Sequence, residues 1–145
     1  MAYVAGTYLN NPKAPLGTWV CTRTSPDAPY KTAPPANKTG GPNFCGQCVS
    51  FVTTVCVGLP VNTGAWNKGA QVKGKIDVAP GTAIATFDGN GKYSGHAAIY
   101  ESQTQLGINV VDQWVTPPPM AIHKRMLRFG AHGNSNNGDN FFVIE

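Results

Sequence analysis

A single clear helical period runs through this chain, and it opens on Gly46-Gln47-Cys48-Val49. Phe51, Val52, Val55 and Cys56 fall on one apolar face, which predicts a helix from about Gly46 to Val57 that Gly58-Leu59-Pro60 terminates. A short second turn of helix is expected over Thr63-Gly64-Ala65-Trp66 and Lys68-Gly69-Ala70. After Pro80-Gly81 the period falls to two. Thr82 to Phe87, His96 to Glu101, Gly107 to Asp112, Met126 to Phe129 and Phe141 to Ile144 read as strands, divided by turn residues such as Asp88-Gly89-Asn90-Gly91. One helix followed by adjacent strands on short turns predicts an α+β fold, with an antiparallel sheet packed on the cysteine-bearing helix.

At 145 residues the chain is long enough for one domain with a real core and too short for two. Within residues 1–145 we expect two parts. Residues 1–44 are broken too often by Pro, Gly, Asn and Thr to hold long elements. Their Tyr3, Tyr8, Trp19 and Phe44 predict an ordered arm wrapped on the core of residues 45–145 rather than a disordered tail.

Composition narrows the partners. Only 12% of residues are charged, so solubility rests on Ser, Thr, Asn and Gln, as suits an exported protein. The formal charge is +4, and up to Lys75 seven basic residues face one acid, Asp27. That asymmetry favours an anionic partner. The basic residues are scattered among prolines and glycines without the dense stripe of a phosphate tracker, which argues against nucleic acid; an acidic cell-wall polymer would be attracted equally well. No stretch approaches the ~20 apolar residues of a membrane span. Residues Met1 to Gly6 lack the basic and apolar regions of a signal peptide, so the expectation is synthesis in the cytoplasm and export by another route.

Cys48 stands where chemistry is expected. Free N–H groups and the positive dipole end at a helix N-terminus lower a thiol's pKa and can also donate to a tetrahedral oxyanion. Gln47 could add a side-chain donor. The plainer alternative is an inert buried cysteine. What weighs against it is the company expected on the sheet: a turn centred on Thr104 would pair Tyr100 with Ile108, Ala98 with Val110 and His96 with Asp112, making imidazole and carboxylate cross-strand neighbours on one face. Glu101 falls on the other face. Small residues around His96 (Gly95, Ala97, Ala98) leave room for a close approach to its ring.

The other cysteines admit several readings. Cys45 and Cys48 form a C-x-x-C, but the βαβ pattern of thiol–disulfide exchangers is missing. Cys45, Cys48, His123 and His132 lack a second close pair of zinc-ligand spacing, so no metal is expected. A Cys21–Cys45 disulfide could pin the arm in an oxidising compartment, with Cys56 filling the helix face.

Gly46-Gln47-Cys48-Val49-Ser50-Phe51, then Gly95-His96-Ala97-Ala98-Ile99-Tyr100, then Asp112-Gln113-Trp114 resembles the CHAP and NlpC-type cell-wall amidases, with their reduced papain-like fold. Trp66, Lys68-Gly69, Val72, Gly74 and the segment from Gly81 to Phe87 look closer still to small amidase effectors of type VI secretion. The resemblance spans roughly residues 44 to 114. It implies Cys48 as nucleophile, His96 as base, Asp112 as orienter and Trp114 as site floor; Gln47, Gln113 and Trp114 are the further candidates for substrate or oxyanion contact. Asp112 departs from the Glu, His or Asn often found at its position.

What the resemblance further implies is a cysteine amidase or endopeptidase that cuts a stem-peptide or cross-link amide of peptidoglycan without a cofactor. An immunity protein would protect the producer, and the enzyme would act in the periplasm of target bacteria. Rival readings are a phage-type or autolytic amidase with the same chemistry, a non-catalytic wall- or partner-binding module on a decayed peptidase fold, and a C-x-x-C redox protein.

Overall fold

A computed structural model describes residues 1–145. The elements are α1 (Cys48–Val55), β1 (Lys68–Gln71), β2 (Ala83–Phe87), β3 (Tyr93–Gln103), β4 (Gly107–Trp114), β5 (Met120–Arg128) and β6 (Phe141–Ile144). Short 3-10 turns cover Ala36–Lys38, Thr63–Ala65 and Gly138–Asn140. All strands join one antiparallel sheet in the order β1-β6-β2-β3-β4-β5. No helix is long and apolar enough to cross a membrane.

Alternation along the strands builds two cores. Phe51, Val52 and Val55 of α1 pack on Ala83, Ala85, Ala97, Ile99 and Val111, while Ile84, Ala98, Tyr100, Val110 and Phe141 form a second cluster. Small residues on the helix side of β2 and β3 let α1 lie close to the sheet. Each fully buried Phe or Val there contributes ~1.5–3 kcal/mol by leaving water.

The arm is ordered without long elements. Ala5, Tyr8, Ala14 and Val20 belong to the helix-side core, Val4 bridges Thr82, and Trp19 bridges Tyr30. A Cys21–Cys45 disulfide ties the arm to the chain just ahead of α1. Because Cys45 is joined to Cys21, no Cys45–Cys48 redox pair forms, and Cys48 and Cys56 are free thiols.

Three expectations need correction. Lys68-Gly69-Ala70 is strand, not helix, because it pairs with the edge of β6 and that pairing overrides a weak local signal. The last long strand starts at Met120 rather than Met126. The β3–β4 register also differs: Tyr100 pairs with Val110 and Ile99 with Val111, and a bulge between Tyr100 and Ser102 leads to Gln103↔Ile108. Continued along the strands, the observed register sets Ala98 opposite Asp112. The displacement is two in the sum of residue numbers, so it preserves the face.

Candidate active site

The site lies where the β2–β3 ladder is interrupted. Pairing runs Ile84↔Ala98 and Ala85↔Ala97, then slips to Phe87↔Tyr93. Gly95 makes the slip possible: its φ is +111°, and a Cβ there would meet Thr86 Oγ1 at 2.4 Å. The buried Thr86 hydroxyl locks the bulge by donating to Ser94 O and accepting from the His96 N–H at 2.9 Å. Both ends of the bulge thereby present a side chain to the start of α1, Tyr93 on one side and His96 on the other.

Cys48 opens that helix. The N-cap residue Gln47 makes no side-chain cap, and neither the Cys48 nor the Val49 N–H has a partner in the chain, so two donors stand free beside the thiol. Gly46, with φ +79°, allows the tight entry; a Cβ on it would meet Val115 Cγ1 at 2.0 Å. Burial alone would push the thiol's pKa up, but the His96 imidazole, helped by the Tyr93 hydroxyl and the Ala97 N–H, holds it below the ordinary value. Tyr93 Oη lies 3.3 Å from Cys48 Sγ and 3.3 Å from Gly95 O, to which it donates.

His96 is buried and leans on Asp112, its Nε2 2.7 Å from Oδ2. Burial opposes its charge, yet the Asp112 hydrogen bond and the facing thiol overcome that and raise its pKa to about 9. Asp112 is fully buried. Burial would raise its pKa, but His96 and Arg125 hold it below the usual carboxylate range. A lowered thiol and a raised imidazole favour a thiolate–imidazolium pair at neutral pH.

Arg125 was not expected at the site. It sends Nε to Asp112 at 2.9 Å from Oδ2, Nη2 to the same oxygen at 2.7 Å, and Nη1 to Asn136 Oδ1 at 2.9 Å. Its guanidinium lies over the Trp114 ring, 4.6 Å from the centroid. The polar run His123-Lys124-Arg125 masks β5 in the sequence, and two of its members turn to Asp112, His123 at 3.8 Å. No local signal marked them, because a strand lined with polar residues on its site face loses its apolar alternation.

The weaker expectations divide. Trp114 stands edge-on to His96, centroids 6.4 Å apart, and lines the same cavity of about 420 Å³ with Cys48, His96 and Arg125. Gln47 borders the thiol too; its amide donates to Thr39 O at 2.8 Å and keeps one N–H unpartnered. Gln113 does not face substrate space. It is fully buried, accepts from Val20 N–H at 2.9 Å, and donates to Val20 O and Gln47 O. With both amide protons spent, it clamps the arm to the site and has no donor left for an oxyanion. Glu101 is likewise committed elsewhere, accepting from the Tyr8 hydroxyl at 2.9 Å.

A thiol on a helix N-terminus beside a strand-borne imidazole, with the helix packed on an antiparallel sheet, defines a papain-like cysteine amidase. The family model for domesticated amidase effector 2 matches residues 5–144, and the chain belongs to that family. It is 46% identical over 104 residues to a domesticated amidase effector 2 of Ixodes scapularis, covering 68% of this chain and 70% of that protein. To a type VI secretion amidase effector 2 protein of Salmonella typhi it is 33% identical over 118 residues, covering 68% and 84%. The solved structure of type 6 secretion amidase effector 2 (Tae2) matches with a TM-score of 0.59 and 31% identity, over 68% of this chain and 80% of that one.

Proposed function

We propose that this chain hydrolyses an amide bond in the stem peptide or peptide cross-link of peptidoglycan by a Cys48–His96–Asp112 mechanism. The observation that carries the reading is the buried His96–Asp112 pair set against a thiol whose neighbouring helix N–H groups are free. Cys48 thiolate attacks the amide carbonyl, and the Cys48 and Val49 N–H groups receive the developing oxyanion. His96 passes its proton to the leaving amine, then takes one from the water that cleaves the thioester. Asp112 orients the imidazole throughout. Trp114 walls the cavity beside His96.

The kinship to a type VI secretion amidase effector supports a protein delivered to the periplasm of target bacteria, whose producer carries an immunity protein that covers this groove. The higher identity to the Ixodes scapularis protein favours a second setting, in which the same hydrolase is a host's own protein and needs no immunity partner. Incubation of purified sacculi with the protein, followed by mass spectrometry of released muropeptides, tests the shared chemistry. New fragments from the wild type and none from Cys48→Ala are expected; intact sacculi with folded wild type would hand priority to a wall-binding module.

A further inference from the structure

The guanidinium of Arg125 and the imidazole of His96 use one acceptor. Both His96 Nε2 and Arg125 Nη2 lie 2.7 Å from Asp112 Oδ2, and the two nitrogens are 3.4 Å from each other. A carboxylate whose only task was to neutralise a half-buried arginine would have no reason to share its oxygen with a second cation. Conversely, an arginine placed only to satisfy Asp112 would not need to hold Asn136 with the opposite nitrogen and stack on Trp114 as well.

From this shared acceptor we infer that Arg125 is a positioning residue of the reaction: it fixes both oxygens of Asp112 and limits how firmly the carboxylate holds protonated His96. The inference rests on the catalytic reading of Cys48, His96 and Asp112 given above. Its chemical sense lies in the second half of the proton's journey. An imidazolium bound to an unshared, fully buried carboxylate would keep its proton too strongly to protonate a leaving amine. A cation on the same oxygen weakens that hold.

The groups facing the pair are few. Cys48 approaches from α1, Tyr93 from β3, and His123 and Arg125 from β5; the loop after β5 contributes only the uncharged Ser135 and Asn136. Arg125 is the one permanent cation among them. Its removal therefore has a definite sign: His96 gains an unshared carboxylate and loses a positive neighbour, so its proton leaves at higher pH.

The test is the pH dependence of Cys48 alkylation by iodoacetamide, followed by mass spectrometry, beside kcat and KM for muropeptide release. In the wild type the alkylation rate should step upward near the His96 value of about 9, where the imidazolium loses its proton. Arg125→Met should move that step up by about one pH unit or more and lower kcat about a hundred-fold. Arg125→Lys keeps the charge but not the fork. It should leave the step within about half a unit and lower kcat about ten-fold with KM little changed.

A step unmoved in folded Arg125→Met, or wild-type kcat in Arg125→Lys, would overturn the inference. The lysine variant decides alone if the methionine variant does not fold. Because alkylation needs no substrate, a wild type that cuts no wall material, beside an Arg125→Met variant whose step is shifted, would refute the peptidoglycan reading and leave the hold of Arg125 on the His96–Asp112 pair standing.

Discussion

The two ends of α1 differ in almost every respect that matters for a cysteine. At the C-terminal end Cys56 is buried, its backbone N–H bonds Val52 O, and Arg23 reaches from the arm to the carbonyls of Thr53, Val57 and Leu59 at 2.6–3.1 Å. Burial there pushes the Cys56 thiol up, against smaller lowering contributions from Leu59 and Arg23. At the N-terminal end the helix is left uncapped and Cys48 faces a buried imidazole. Two thiols on one short helix are thus made opposites by position. The fold closes one end of α1 with Arg23 and leaves N–H donors open at the other, beside Cys48.

The sharpest break of that contrast is Cys48→Ala, expected to lower muropeptide release about a million-fold, the loss of a nucleophile elsewhere, while the melting temperature stays near wild type. Next comes Asp112→Asn. It should cost about ten-thousand-fold in kcat and move the alkaline limb of the pH profile downward, because His96 loses the carboxylate that raises its pKa. In the wild type that limb should fall near pH 9, since activity needs the imidazolium and His96 deprotonates there.

At the other end of the helix the effects turn from activity to stability. Arg23→Ala should lower the unfolding free energy by about 1 kcal/mol through unpaired carbonyls, with kcat per folded molecule unchanged. Smallest of all should be the reactivity of Cys56 itself: iodoacetamide at neutral pH should leave it unmodified in the native protein and label it only in denaturant.

The open end was legible in the sequence and the closed end was not. Gly46-Gln47-Cys48 ahead of an apolar period is a local signal, and the helix N-terminus follows from it. The closing arginine stands 30 residues before Thr53, which it bonds, with nothing in its surroundings to announce the partner. The same division runs through the sheet. Alternation along β3 and β4 placed His96 and Asp112 on one face even though the assumed turn was wrong, because a slip of two keeps parity. It could not find Arg125, whose strand hides its period through the polar residues turned to Asp112.

The arm illustrates the remaining gap. Its aromatic residues predicted order, but not that Gln113 would spend both amide protons on Val20 O and Gln47 O instead of facing substrate. A side chain that reads as site-forming in sequence becomes a clamp once the arm crosses it. Long-range backbone partners of this kind leave no trace in spacing or composition.

On the mechanism proposed above, hydrolysis is the work of the thiol at the open end of α1. That role is tested most directly by titrating the native protein with iodoacetamide at neutral pH, while measuring labelled residues by peptide mass spectrometry and muropeptide release from sacculi on the same samples. One label per molecule is expected, on Cys48, with activity falling in proportion to it. Full activity in molecules labelled at Cys48 would contradict it.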